Sequence, residues 1–306
     1  MAAPRIAVLP ADHRLAEGAV AAVTRGGAEL VDVAEATGLV WVDPHGPDSL
    51  GEVLGAHDRI DWVQLPFAGV EPFADVIDAE RRWTCGKGVY AEPVAEHVVA
   101  LALAGFRGLT TYVPAMTWQA PEGRNLLDAR VTVLGGGGIT ASLVELLAPF
   151  RCEVTVVRRH ADAPMPGATV RAVADLHELL PTTDLLVVAL ALTPETVGIV
   201  GATELALLPE HAWIVNVARG RHVDPDALLD ALRAGSIGGA ALDVTDPEPL
   251  PDGHPLWDEP RCIITPHVAN TPEMGAPLLF ARIADNVRRY ADGEELVGPV
   301  DPELGY

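Results

Sequence analysis

The stretch "RVTVLGGGGITASLVELLAPF" (residues 130–150) decides the fold. "RVTVL" is a short β-type run, the four glycines form a tight turn, and "ITASLVELL" has helical apolar spacing. Strand, glycine turn and helix together bring backbone N–H groups to the positive end of a helix, where a pyrophosphate can approach closely. Two registers fit. Gly135-x-Gly137-x-Ile139-Thr140 puts threonine where a third glycine is usual, whereas Gly136-x-Gly138-x-x-Ala141 satisfies the looser Gly/Ala rule. The first is preferred, because the strand then runs directly into Gly135 and Ile139 points inward. The bulk of Thr140 then predicts a helix set slightly farther from the strand. Gly135, Gly137, Gly138 and Ile139 are the expected contacts to a dinucleotide. A lone fingerprint also marks an ordinary βα turn, so the surrounding chain has to decide.

Outward from this stretch, short β-type runs alternate with amphipathic segments, the pattern of parallel α/β architecture. After residue 130 the expected strands are 130–134, 153–157, 169–173, 184–190, 213–217, 240–244 and 262–265, with helices at 139–149, 175–180 and 224–234. Several of these runs are continuously apolar, as strands covered on both faces should be. The first third predicts strands at 5–9, 29–33, 39–42 and 61–65, and helices near 12–25, 48–56 and 71–80. The segment 273–293 reads as a helix with a glycine stop and no new core sequence after it, so it should pack back on the first domain. The expected organisation is therefore one domain of 1–96 plus 271–306 and a second, inserted, of 97–270. Helices near 93–106 and 273–292 would make the two crossovers.

The bulk numbers narrow the function. A formal charge of −22 repels phosphate backbones and anionic lipid, so no nucleic acid and no membrane is expected as a partner. Three cysteines, Cys85, Cys152 and Cys262, lack any paired or metal-type spacing, so no metal is expected and reduced thiols are. The start "MAAPRIAVLPADHR" has no basic head followed by a long apolar run, and the expectation is a soluble, cytoplasmic protein.

An acid that accepts from a free ribose 2′-hydroxyl is expected about 20 residues after the glycines. Here the second strand ends "VVRRH" and presents Arg158 and Arg159 instead. Two guanidiniums suit a 2′-phosphate, so NADP(H) is the preferred expectation. NAD(H) stays open, with one arginine stacked on adenine and the other in solvent.

In an open parallel sheet, ligands sit at the C-terminal strand edges. Three edges carry chemistry: "WIVNVARGRHVD" presents Arg219, "AALDVTDPEPLP" presents Glu248, and "IITPHVAN" presents His267. Alone, Arg219 reads as a surface ion pair, Glu248 as a solvated acid and His267 as a structural histidine. In this order, with Asn-Val-Ala-Arg-Gly, Asp-Val-x-x-x-Glu-Pro and Thr-Pro-His around them, the chain resembles the D-isomer-specific 2-hydroxyacid dehydrogenase family, most strongly over 184–270. "WVQLPFAGVE" (62–71) supports the match.

The resemblance implies a Rossmann-type cofactor domain inserted in a smaller flavodoxin-like α/β substrate domain. It implies hydride transfer between NAD(P)H and a small 2-keto or D-2-hydroxy acid, of the glyoxylate or hydroxypyruvate type. Arg219 would hold the substrate carboxylate and carbonyl oxygen with its donor fork. His267 would exchange the proton, and Glu248 would hydrogen-bond and orient His267. Asp243 resembles the acid that meets the nicotinamide carboxamide, with backbone of Val217 and Ala218 flanking the ring and Thr193-Pro194 near the adenosine. Ala68, Gly69 and Val70 match the loop whose N–H groups cup the substrate carboxylate.

Thr245 stands where an aromatic is usual, "TCGKGVY" (84–90) lacks the family's asparagine, and Phe67 suggests a partly apolar pocket. Glu248 in place of glutamine argues against formate as substrate. Alternatives are a phosphoglycerate dehydrogenase without its regulatory domain, and a nucleotide-sensing binding protein of the corepressor type. The resemblance further implies a homodimer formed through the cofactor domain, with residues 110–128, including Tyr112 and Trp118, as the contact.

Overall fold

A computed structural model describes residues 3–302 and divides the chain into two compact units: residues up to Tyr90 with those from Thr271 onward, and Ala91–Asn270. In the first unit the strands are β1 (Arg5–Leu9), β2 (Glu29–Leu30), β3 (Gly38–Trp41), β4 (Trp62–Gln64) and β5 (Arg82–Thr84). Helices α1 (Ala16–Arg25) and α2 (Pro47–Ala56) connect them. All pairings are parallel and the order is β2-β1-β3-β4-β5, the flavodoxin-like arrangement.

The second unit contains α3 (Ala91–Phe106), α4 (Leu109–Tyr112), β6 (Arg130–Leu134), α5 (Gly138–Leu147), β7 (Glu153–Arg158) and β8 (Thr169–Ala172). It continues with α6 (Leu176–Leu179), β9 (Leu185–Val188), α7 (Ala202–Leu207), β10 (Trp213–Asn216), α8 (Pro225–Ala234), β11 (Gly239–Leu242) and β12 (Cys262–Ile264). Its seven parallel strands run β12-β11-β10-β9-β6-β7-β8, a Rossmann-type order with its switch point beside β6. All residues of β9, β10 and β11 are buried, as strands with helices on both faces must be.

Local chemistry sets the boundaries. Helix α8 starts where Asp224 accepts from the N–H groups of Asp226 and Ala227, with Pro225 at its first position. It stops at Gly235, whose φ of 70° is the left-handed cap. The last helix, α9 (Pro272–Asp292), buries Leu279, Ile283 and Val287 in the same core as Ile6, Val8, Ala19 and Val23 of β1 and α1. The spacing of four residues is one helical face.

Several elements differ from the sequence reading. Strand β2 ends at Leu30, because Asp32 accepts from the Ala34 N–H and turns the chain into a 3-10 turn at Val33–Glu35. The expected helix at 71–80 is a single 3-10 turn, Glu71–Phe73, that buries only Phe73. Strand β5 and helix α7 were not expected. Both are short, and β5 is completed by tertiary contacts of Trp83 and Thr84 rather than by a period of its own.

Candidate active site

The glycine turn lies at the end of β6. Gly135 has φ of 107°, and a Cβ there would sit 2.3 Å from the Ala189 carbonyl oxygen, so two constraints require glycine. Gly137 precedes α5, and a Cβ on it would meet nothing within 4 Å. That face of the turn is open. Ten-residue α5 offers there the first-turn N–H groups that no helix can pair internally. The turn therefore fits a dinucleotide pyrophosphate.

The inward residue is Thr140, not Ile139. Because α5 begins at Gly138, its buried phase runs Thr140, Leu143, Val144, Leu147, and Ile139 is only half-buried. The Thr140 hydroxyl donates to the Gly135 carbonyl at 2.9 Å. The threonine thus closes the turn instead of merely adding bulk.

Strand β7 ends on Arg158, whose Cδ would lie 2.5 Å from a Cβ on Gly136. Its Nη2 donates to the Ala163 carbonyl, and its Nε is buried without a hydrogen-bond partner. Arg159 Nη2 stands 3.8 Å from Glu195 Oε2. Glu195 reaches the β7 end from the loop after β9, on the other side of β6. Its carboxyl is held below the usual range by the hydrogen bond from Thr193 Oγ1, at 2.7 Å, then by its own backbone N–H and by the Arg159 charge. The sequence reading missed Glu195, although the "TPET" that contains it was part of the matched region.

The loop after β10 is braced by its strand's last residue. Asn216 is fully buried; its Oδ1 accepts from Ala218 N–H at 3.0 Å and its Nδ2 donates to the Arg219 carbonyl at 2.9 Å. Val217 and Ala218 are buried beside it. Buried His222 meets the Ala191 carbonyl through Nε2 at 3.3 Å and the Arg219 backbone N–H through Nδ1 at 3.2 Å. A neutral ring does both when the proton is on Nε2. One guanidinium nitrogen of Arg219 donates to Ala218 O at 2.8 Å. Gly220 explains why glycine follows the arginine: a Cβ there would be 2.0 Å from the Thr245 carbonyl. The loops after β10 and β11 touch through this residue.

On the neighbouring edges, His267 Nδ1 lies 2.6 Å from Glu248 Oε1. With Nδ1 committed to the carboxylate, Nε2 is the nitrogen left to face a ligand. Both side chains are partly open, 53% and 41% exposed, so a small molecule can reach them. His267 has a left-handed φ of 52°, fixed by its N–H donating to the carbonyls of Asp243 at 2.8 Å and Thr265 at 2.9 Å.

Asp243 is buried directly beneath. Its carboxylate accepts from Thr265 Oγ1 (2.6 Å) and from the N–H groups of Val268 (2.9 Å) and Ala269 (3.1 Å). Burial pushes its carboxyl up, but hydrogen bonds from His97, Thr265, Val268 and Ala269 outweigh this and hold it below the usual range. Among the described residues no cluster of three or more His, Cys, Asp or Glu could hold a metal ion.

The loop Ala68–Gly69–Val70 belongs to the other unit. Ala68 is exposed, Gly69 half-buried and Val70 buried. It is held from the β5 side: Gly86 N–H donates to the Phe67 carbonyl at 3.0 Å, and Tyr90 Oη to the Pro66 carbonyl at 2.7 Å. Phe67 packs on the Tyr90 ring, with centroids 6.0 Å apart.

Comparison with known proteins identifies the family. Residues 98–269 match the family model for the NAD-binding domain of D-isomer specific 2-hydroxyacid dehydrogenases. A glyoxylate/hydroxypyruvate reductase A of Yersinia enterocolitica is 32% identical over 299 residues, covering 92% of this chain and 90% of the relative. An uncharacterised Corynebacterium melassecola protein is 36% identical over 95% of this chain and 97% of its own length. A D-isomer specific 2-hydroxyacid dehydrogenase of Xanthobacter autotrophicus, crystallised with NADPH and MES, superposes with a TM-score of 0.85, at 29% identity and full coverage of both chains. The chain belongs to the D-isomer specific 2-hydroxyacid dehydrogenase family and is an NAD(P)-dependent oxidoreductase.

Proposed function

We propose that the protein is an NADP(H)-preferring reductase of small 2-keto acids, of the glyoxylate or hydroxypyruvate type. The observation that carries this reading is the 2.6 Å bond between His267 Nδ1 and Glu248 Oε1, one strand away from the Arg219 loop. The bound dinucleotide supplies the hydride. Arg219 anchors the acid's carboxylate and polarises its carbonyl oxygen. His267 Nε2 gives that oxygen its proton, while Glu248 fixes the tautomer and the ring plane. Asp243 Oδ2 accepts from Ala269 N–H and keeps acceptor capacity for a carboxamide N–H. The N–H groups of Ala68, Gly69 and Val70 are assigned to a substrate carboxylate, and Thr193-Pro194 to the adenosine. Three free cysteines fit a reducing, cytoplasmic setting. No helix among the described residues is long and apolar enough to cross a membrane.

Support for NADP(H) is the pair Arg158 and Arg159 beside the glycine turn. A steady-state screen of 2-keto acids with NADPH and NADH, run beside formate and phosphoglycerate with NADP+ and NAD+, tests the reading; turnover only in the second set would overturn it. Within that screen, Arg158→Asp is expected to move the NADPH-to-NADH ratio of kcat/KM toward NADH by about tenfold or more, a charge reversal beside a phosphate. An unchanged ratio rejects the 2′-phosphate assignment.

The same reading takes the protein as a homodimer formed through residues 110–128. Val113, Met116 and Trp118 are 78%, 95% and 101% exposed on one excursion, which is unusual for large apolar residues. Trp118→Asp is expected to yield a monomer in sedimentation, where the unaltered protein runs at twice the chain mass. An unaltered protein that runs as a monomer removes the dimer, and a variant that stays dimeric moves the interface elsewhere.

A further inference from the structure

A second histidine stands beside the turn that carries His267. His97 lies on α3, and its Nε2 is 3.2 Å from Thr265 Oγ1 and 3.4 Å from Asp243 Oδ1. The direction of these bonds follows from proton counting. The Asp243 carboxyl accepts from Thr265 Oγ1 and from the N–H groups of Val268 and Ala269, the pattern of an ionised carboxylate, which only accepts. Thr265 has one hydroxyl proton, and the 2.6 Å contact commits it to Asp243 Oδ1. Thr265 Oγ1 can then only accept from the imidazole. His97 therefore carries a proton on Nε2 and donates it into the Thr265–Asp243 pair.

That pair holds the turn. Asp243 accepts from Val268 and Ala269 N–H through its side chain and from His267 N–H through its own carbonyl. Three consecutive N–H groups are thus fastened to one residue. We propose that His97 is a positioning residue: by donating from Nε2 to Thr265 and Asp243 it sets the turn that presents the His267 ring. This rests on the reading of His267 as the proton-transfer group. The competing account is a partly buried histidine that only fills space on α3. A hydrogen-bond donor and a space-filling group can be separated by substitution, because glutamine donates and leucine does not.

The test is steady-state reduction of glyoxylate with NADPH, or with whichever cofactor turns over faster, together with thermal midpoints. His97→Leu is expected to lower kcat about tenfold while the keto-acid KM stays within about twofold, because orientation is lost and anchoring is not. His97→Gln is expected to keep kcat within about threefold of the unaltered enzyme. Thr265→Val, which removes the bridging hydroxyl, should reproduce the leucine effect and carries the test if the leucine variant folds poorly. A leucine variant at full kcat, a glutamine variant as slow as leucine, or a Thr265→Val enzyme at full kcat each overturns the proposal. His267→Asn in the same assay separates the two ideas. If it keeps full turnover, the acid–base reading itself has failed; if it is slow while His97→Leu is not, only the role of His97 has.

Discussion

Arg219→Ala is expected to lower kcat/KM for a 2-keto acid by roughly a thousandfold, about 4 kcal/mol of transition-state stabilisation. The guanidinium is asked to do two things at once. In the proposed reaction it holds the carboxylate through a planar fork, and it faces the carbonyl oxygen on which negative charge grows as hydride arrives. Alanine removes both, and Arg219→Lys should restore little, because an ammonium lacks the fork. The loss should not be a folding effect. The bonds with Asn216 and His222 that hold this loop's backbone remain in both variants, although the guanidinium's own bond to the Ala218 carbonyl is lost in alanine. Thermal midpoints of the two variants should therefore stay near that of the unaltered protein. If Arg219→Ala retains activity within about tenfold, the anchoring role is wrong.

His267→Asn is expected to lower kcat by about 10²–10⁴, the range attributed to a positioned acid–base group. Asparagine is the informative replacement, because it tolerates the left-handed backbone that the histidine adopts at φ of 52°. Alanine would confound lost chemistry with a shifted turn. Cofactor binding, followed by quenching of protein fluorescence, should persist, since the glycine turn after β6 does not involve the residue. A variant that turns over at more than about a tenth of the normal kcat would remove His267 from the proton path.

Much of the second unit was legible because its strands are buried on both faces. Their sequences, such as "LLVV" and "GAAL", are continuously apolar and short, as strands covered on both faces are. The first unit was less so. Strand β5 has only three residues, and the segment near 71–80 carries helical residues whose burial stops after one turn. At the site, Arg219, Glu248 and His267 were readable from their places just beyond three strand ends. Other features depend on partners remote in sequence. His97 meets Thr265 across 168 positions, and Glu195 reaches Arg159 from beyond a neighbouring strand. The phase of α5, which buries Thr140 in place of Ile139, depends on the residue at which the helix starts, and a four-glycine run conceals it.

The strand order of the second unit has a consequence for how this enzyme can change over generations. On the proposed reading, the glycine turn and the arginine pair that meet the dinucleotide lie at β6 and β7, while the proton-transfer pair comes from the edges of β11 and β12. From β6 to β11 is three strand steps, roughly 14 Å at about 4.8 Å each. Mutations that far apart seldom interfere with one another. A lineage can thus trade one reductant for another at the arginine end of the sheet while its acid–base machinery is inherited intact, which makes the choice of electron donor an adjustable trait and the proton chemistry a fixed one.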